Sequence, residues 1–128
     1  MRHLTPTTIR KPFANYAHAV EVPAGMRLLV LSGQLGIAPD DVIPDGAEAQ
    51  AALCFENISK ILAEAGAGPE AIVRINAFVS AREHLAGYMR ARDRFVADPA
   101  PASTLMIVTG FAREAFVVEI EVLAALPA

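Results

Sequence analysis

The sequence predicts an α+β fold in which a β-sheet carries two helices on one face. Three observations predict it. Near the C-terminus, a β-rich run from Phe116 to Leu123 sets Glu119 and Glu121 between the apolar residues Val118, Ile120 and Val122 at a period of two. In the middle, apolar residues recur at helical spacing from Ala51 to Ala65. Between such stretches, clusters of proline, glycine and aspartate divide the chain into short elements in the order β-β-α-β-α-β-β.

Taken in order, residues 16–21 are short and alternating, Pro23-Ala24-Gly25 signals a turn, and Leu28 to Leu31 is an aliphatic run. This pattern reads as a β-hairpin, with a short leading strand near Thr8. Ser32-Gly33-Gln34 ends the second strand, and a loop rich in proline and aspartate covers 38–45. The first helix follows. Ala51, Cys54, Phe55, Ile58, Ile61, Leu62 and Ala65 form its apolar stripe, Asp45 is placed to cap its start and Gly66 to stop it.

Residues 72–80 form a central strand, with Val73, Ile75, Ala77 and Val79 on one face. A second helix carries Leu85, Tyr88, Met89, Phe95 and Val96 on its inner stripe and ends before Pro99 and Pro101. Arg92 occupies a stripe position where an apolar residue is expected. Residues 104–109 and 116–124 supply the last two strands, the second directing Glu119 and Glu121 to one face and Val118, Ile120 and Val122 to the other. Two helices cover only one face of such a sheet. The other retains aliphatic residues, and a symmetric homo-oligomer is the economical way to bury them.

The chain has 128 residues, 54% of them hydrophobic, which fits one domain spanning 1–128 with a core that needs no staples. No apolar run reaches the roughly 18 residues of a membrane span. The first 14 residues lack the apolar segment of a secretory signal, so the expected compartment is the cytoplasm. Cys54 is the only cysteine, which excludes an intrachain disulfide and a cysteine-rich zinc site. His3, His18 and His84 have no second ligand at metal spacing, and no metal or cofactor is implied. The formal charge of −3 and the absence of a basic tail argue against a nucleic-acid partner. Arg90, Arg92 and Arg94 form a small basic cluster, but Asp93 sits among them. Cys54 lies on the apolar stripe and reads as a small buried hydrophobe.

Several short stretches in order, Tyr16-Ala17-His18-Ala19-Val20, Leu31-Ser32-Gly33-Gln34, Gln50 with Asn57-Ile58, Ala65-Gly66, Pro101-Ala102-Ser103-Thr104 and Val118-Glu119-Ile120-Glu121, together resemble the YjgF/RidA family, also labelled endoribonuclease L-PSP. The resemblance spans nearly the whole chain. It implies a chorismate-mutase-like fold, a homotrimer, and small-molecule clefts between neighbouring subunits. It also implies hydrolysis of reactive enamines and imines to a ketoacid and ammonia, with a glutamate of the last strand handling water and an arginine holding the substrate carboxylate.

Carried over by residue, the glutamate is Glu119, the hairpin tyrosine is Tyr16 and the cleft glycine is Gly33. The arginine position is Ser103. Loss of a cation there removes a charged hydrogen bond of about 1.5–3 kcal/mol, or roughly ten- to a hundred-fold in affinity. Ser103 and Thr104 offer hydroxyls in its place, and Arg92 supplies a replacement cation if its side chain reaches the cleft. The bland reading of Arg92 is a stem on the core with its head in water or paired with Asp93 or Glu121. Alternating Glu-Ile-Glu equally fits an exposed strand face, and only the resemblance singles out Glu119. Two functions follow. One is a hydrolytic deaminase with an altered substrate, and the other is a non-catalytic trimer that senses a metabolite or binds a protein.

Overall fold

A computed structural model describes residues 1–128. Its elements are β1 (Arg2–Leu4), β2 (Ala19–Glu21), β3 (Arg27–Val30), β4 (Gln34–Leu35), α1 (Ala47–Glu64), β5 (Ile72–Val79), α2 (Leu85–Phe95), β6 (Ala102–Ile107) and β7 (Val118–Leu126). The main sheet runs β3-β7-β5-β6, with β4 also paired to β7. β5 and β6 are parallel and the other pairings of this sheet are antiparallel. The parallel pair requires a crossover, and α2 provides it.

Period-two alternation decides which side chains meet the helices. Ile75, Ala77 and Val79 of β5 and Val118, Ile120, Val122 and Ala124 of β7 are buried and pack against Ala51, Cys54, Phe55, Ile58 and Leu62 of α1 and Tyr88 and Ala91 of α2. At the start of β5 an irregularity between Ile72 and Arg74 breaks the alternation, and Ile72 rather than Val73 joins this core. The α+β class and the one-sided helix layer are therefore as the patterning predicts. The opposite face carries Arg74, Asn76, Phe78, Glu119 and Glu121 with Leu28 and Val30, which are 61% and 76% exposed.

Three local expectations need correction. The hairpin does not form. Ala19–Glu21 pairs instead with Arg2–Leu4, and Arg27–Val30 pairs with the end of β7, Arg27 opposite Leu126. The Pro23-Ala24-Gly25 turn is real, Gly25 taking φ +88°, but the strands on either side of it part to join different sheets. The leading strand lies at Arg2–Leu4 rather than near Thr8. The residue before α1 is Gly46, with φ +93° and no side-chain cap, so Asp45 does not cap the helix. Gly66 follows α1 with φ +76°, a left-handed conformation that suits glycine at a helix end.

Gln50 joins the layers. It is 2% exposed, and its Nε2 donates to Pro44 O at 3.1 Å and Ala115 O at 2.8 Å, while its Oε1 accepts from Val117 N at 2.9 Å. Every polar position of this amide except one lone pair is used, and all partners are backbone groups that a leucine cannot satisfy. Gln50→Leu is expected to destabilise the chain by roughly 2–3 kcal/mol, read as a lower urea midpoint at unchanged slope.

Candidate functional site

The predicted site residues fall into two groups on opposite faces of the sheet. The first is built where the segment before β2 runs beside β6. Ala17 N donates to Pro101 O at 3.0 Å, and Ala17 bridges Ala102 in parallel, which pins Tyr16 next to Ser103. The Tyr16 hydroxyl accepts from Phe13 N at 3.2 Å and closes the turn in front. Ser103 is in register with Ile75 of the core, so its side chain faces the helix layer, where α2 presents Arg92. Tyr16, Arg92 and Ser103, with Phe13, Met89 and Leu105, line a cavity of about 270 Å³.

Arg92 is 2% exposed. Its Nε and Nη2 donate to a single oxygen, Asp93 Oδ1, at 3.3 and 3.0 Å. The guanidinium thus lies against the core, reaches the Ser103 cavity and is paired with Asp93. Beneath it, Tyr88 is fully buried, and burial pushes its phenol up to about 12, with the Arg92 charge and the adjacent Ser103 hydroxyl pulling the other way. The Tyr88 hydroxyl has no hydrogen-bond partner of good geometry even though Ser103 lies beside it.

The second group is on the open face. Between the pairs Val30–Leu123 and Gln34–Ile120, the β3–β4 side has residues 31–33 where β7 has only 121–122, one residue extra. This bulge sets Gly33 against the Glu119 carboxylate. A Cβ on Gly33 would stand 2.7 Å from Glu119 Oε1, so only glycine leaves that carboxylate its place. Glu121 is held differently. Asn76 Nδ2 donates to Glu121 Oε1 at 3.2 Å, and Arg74 Nε donates to Asn76 Oδ1 at 2.9 Å, a relay that satisfies Glu121 within the chain.

Thr104 is in register with Asn76 and shares the open face. Ser103 and Thr104, adjacent in sequence, therefore project to opposite sides. Within one chain the structure joins Tyr16, Arg92 and Ser103, joins Gly33 and Glu119, and keeps the two groups apart. The Arg92–Asp93 pairing is one that the sequence offered, whereas Phe13, Met89 and Leu105 were not anticipated as neighbours of the site. The alternation of residues 102–107 carries the signal for Leu105, whereas Phe13 lies in irregular backbone without a period to read.

No group of histidine, cysteine, aspartate and glutamate side chains is arranged to hold a metal ion. Cys54 is buried and its Sγ–H donates to Gln34 O at 3.2 Å; burial, then the Glu119 charge, pushes its thiol up to about 12. His18 Nε2 is bonded to Arg10 O and His3 Nδ1 to Ala100 O, both structural contacts.

The fold and site define a class: an α+β chain with one helix-covered sheet face, an edge cavity containing a buried cation, and a carboxylate on the uncovered face. A family model described as endoribonuclease L-PSP matches residues 7–126, and the chain belongs to that family. Among solved structures, the Rid-family protein YyfB from Yersinia pestis is 26% identical, with 98% of each chain covered and a TM-score of 0.84. RidA from the Antarctic bacterium Psychrobacter sp. PAMC 21119 is also 26% identical, over 98% of this chain and 100% of that one, with a TM-score of 0.73. Protein mmf2 of Schizosaccharomyces pombe is 29% identical over 77 residues, which are 60% of this chain and 61% of that protein. Its name places mmf2 in mitochondria, so the relatives do not all share the compartment expected from the sequence. No helix of this chain is long and apolar enough to cross a membrane.

Tyr88 and Cys54 make alkaline stability testable. Both are acids whose folded pKa lies above the ordinary values of 10.0 and 9.0. Between about pH 9 and 12 the unfolded chain releases protons that the folded chain keeps, so stability is full below that window and falls as pH rises through it. Tyr88→Phe is expected to flatten this fall and to leave the neutral-pH melting temperature unchanged or higher, because it deletes a buried hydroxyl without a partner.

Proposed function

We propose that this chain is a small-metabolite-binding subunit of a homotrimer and that its clefts hydrolyse enamines or imines, with Glu119 handling the water. The observation that carries the reading is the division of the site. Glu119 and Gly33 lie on the open sheet face, and the Tyr16–Arg92–Ser103 cavity lies at the helix-side edge. A cleft that uses both needs one group from each of two copies. The exposed Val30 beside Glu121, with Leu28 further along the same strand, gives the open face an apolar surface for such a neighbour to cover.

In this reading, water positioned by the Glu119 carboxylate adds to the imine carbon, and the carboxylate takes its proton. The carboxylate passes that proton to the nitrogen, giving the neutral carbinolamine, whose hydroxyl proton then moves through the same carboxylate to the nitrogen as the C–N bond breaks, so that ammonia leaves and a carbonyl remains. The relatives' names support the reading through the word RidA, which belongs to the Psychrobacter protein. The ribonuclease activity in the family description is not favoured by the charges, since Arg90 and Arg94 both face Glu48 and Arg2 pairs with Glu21.

The test is hydrolysis of 2-iminopropionate generated in situ. Glu119→Ala is expected to lower turnover by roughly 10²-fold or more. Ala14 also lines the cavity, and Ala14→Trp, which fills it from the loop side, should also be inactive. Mixing the two variants at equal amounts during refolding should return about a quarter of the wild-type activity, because that share of interfaces pairs two intact halves. Wild-type turnover unaffected by Glu119→Ala, or a monomeric solution mass, would overturn the shared-cleft mechanism. Ligand binding without product from any imine would instead favour the metabolite sensor.

A further inference from the structure

We propose that Arg92 is the anion-holding residue of the 270 Å³ cavity, that its ligand is a small carboxylate with an apolar tail, and that Ser103 is small because the cation arrives from α2. This rests on the reading that the cavity takes a metabolite, and it fixes the charge of that metabolite.

A guanidinium that is 2% exposed has surrendered nearly all its water, which is unfavourable unless its donors are met. Inside the chain they are met on one edge only. Asp93 Oδ1 takes both Nε and Nη2, the side-on edge, and Asp93 is itself about half exposed. Nη1 donates to none of the chain's own groups and is not enclosed, so the end-on edge formed by Nη1 and Nη2 opens on the cavity and is left for a ligand. That edge matches the two oxygens of a carboxylate.

The surroundings narrow the ligand further. The other arginines of α2 are drawn to Glu48 on a different surface, so Arg92 is the cavity's one charged lining group. Phe13, Met89 and Leu105 form apolar walls, while the Ser103 and Tyr16 hydroxyls are the remaining polar groups. One cation, two hydroxyls and apolar walls suit a compact organic anion. The volume is several times the ~30 Å³ that a water molecule takes in the liquid, room for an acid of a few carbons.

Packing also explains Ser103. Its side chain shares the cavity with Arg92 and lies against the Tyr88 hydroxyl. An arginine there would fill the space in front of the existing guanidinium and set two like charges together in a poorly solvated site. The two positions are therefore an exchanged pair, in which a cation at one requires a small neutral residue at the other.

The experiment titrates pyruvate and its neutral amide, pyruvamide, into wild type and variants by calorimetry, with a thermal melt for each. Wild type should prefer pyruvate. Arg92→Gln should weaken pyruvate roughly ten- to a hundred-fold and leave pyruvamide unchanged. Ser103→Arg should also weaken pyruvate, despite adding a cation, and Arg92→Gln with Ser103→Arg should recover more than the two single effects allow. If Arg92→Gln fails to fold, Arg92→Lys, which keeps the charge and loses the fork, should retain the preference at lower affinity, and Ser103→Arg tests the pair independently. Equal binding of both probes by wild type, no pyruvate binding, or tighter pyruvate binding by Ser103→Arg would overturn the proposal. An Arg92-dependent pyruvate preference without any imine turnover would uphold it and sink the catalytic reading. Imine turnover with an Arg92-independent preference would do the reverse.

Discussion

The structure depends on one constraint, that β7 is hydrogen-bonded on both edges along much of its length while helices cover only one of its faces. β5 fixes one edge and β3 with β4 fix the other. Slipping its register by one residue would send Glu119 and Glu121 into the helix layer and expose Val118 and Ile120, which the buried core does not allow. The same register holds Glu119 opposite Phe78 and Leu35 and lets the bulge at residues 31–33 bring Gly33 onto its carboxylate. The position of the acid is thus a consequence of core packing on the far side of the strand.

Much of this was legible from residue patterns because it is local. The alternation of residues 116–123 separates the faces of β7, the stripe of α1 marks the buried helix side, and the misfit of Arg92 on the apolar stripe of α2 marks the one buried cation. What the patterns did not show is which strands pair. Residues 16–21 and 28–31 look like partners because a true turn joins them, yet each pairs with a strand far off in sequence, β1 and β7. Strand pairing is decided by non-local packing, and a turn signal says only that the chain reverses. Ser103 and Thr104 illustrate the opposite case: period two already implies opposite faces, but reading them as one motif obscured it.

Charge alone does not locate the chemistry. The groove between the start of α1 and α2 is the larger, about 490 Å³, and contains Glu48, Arg90 and Arg94. There the arginines meet Glu48, whose carboxyl is held below the usual range by the Arg90 hydrogen bond. These groups are mutually satisfied and well solvated, and such surface pairs carry little energy. In the smaller cavity, Arg92 is desolvated and half satisfied. A ligand gains more from completing a half-met fork at the wall of a poorly solvated cavity than from competing with a finished ion pair in water.

The separation of acid and cation across the sheet has a further physical consequence. Were Glu119 and Arg92 on one face and within reach, they would pair with each other and close the site. Held apart by the sheet, each keeps its capacity for a ligand or a water molecule. In the proposed assembly they meet only across an interface, at a distance set by how β7 of one copy and α2 of the next are held rather than by two side chains of one chain. In that proposed cleft a carboxylate bound by Arg92 would stand between cation and glutamate, leaving Glu119 to hold water rather than to form a salt bridge.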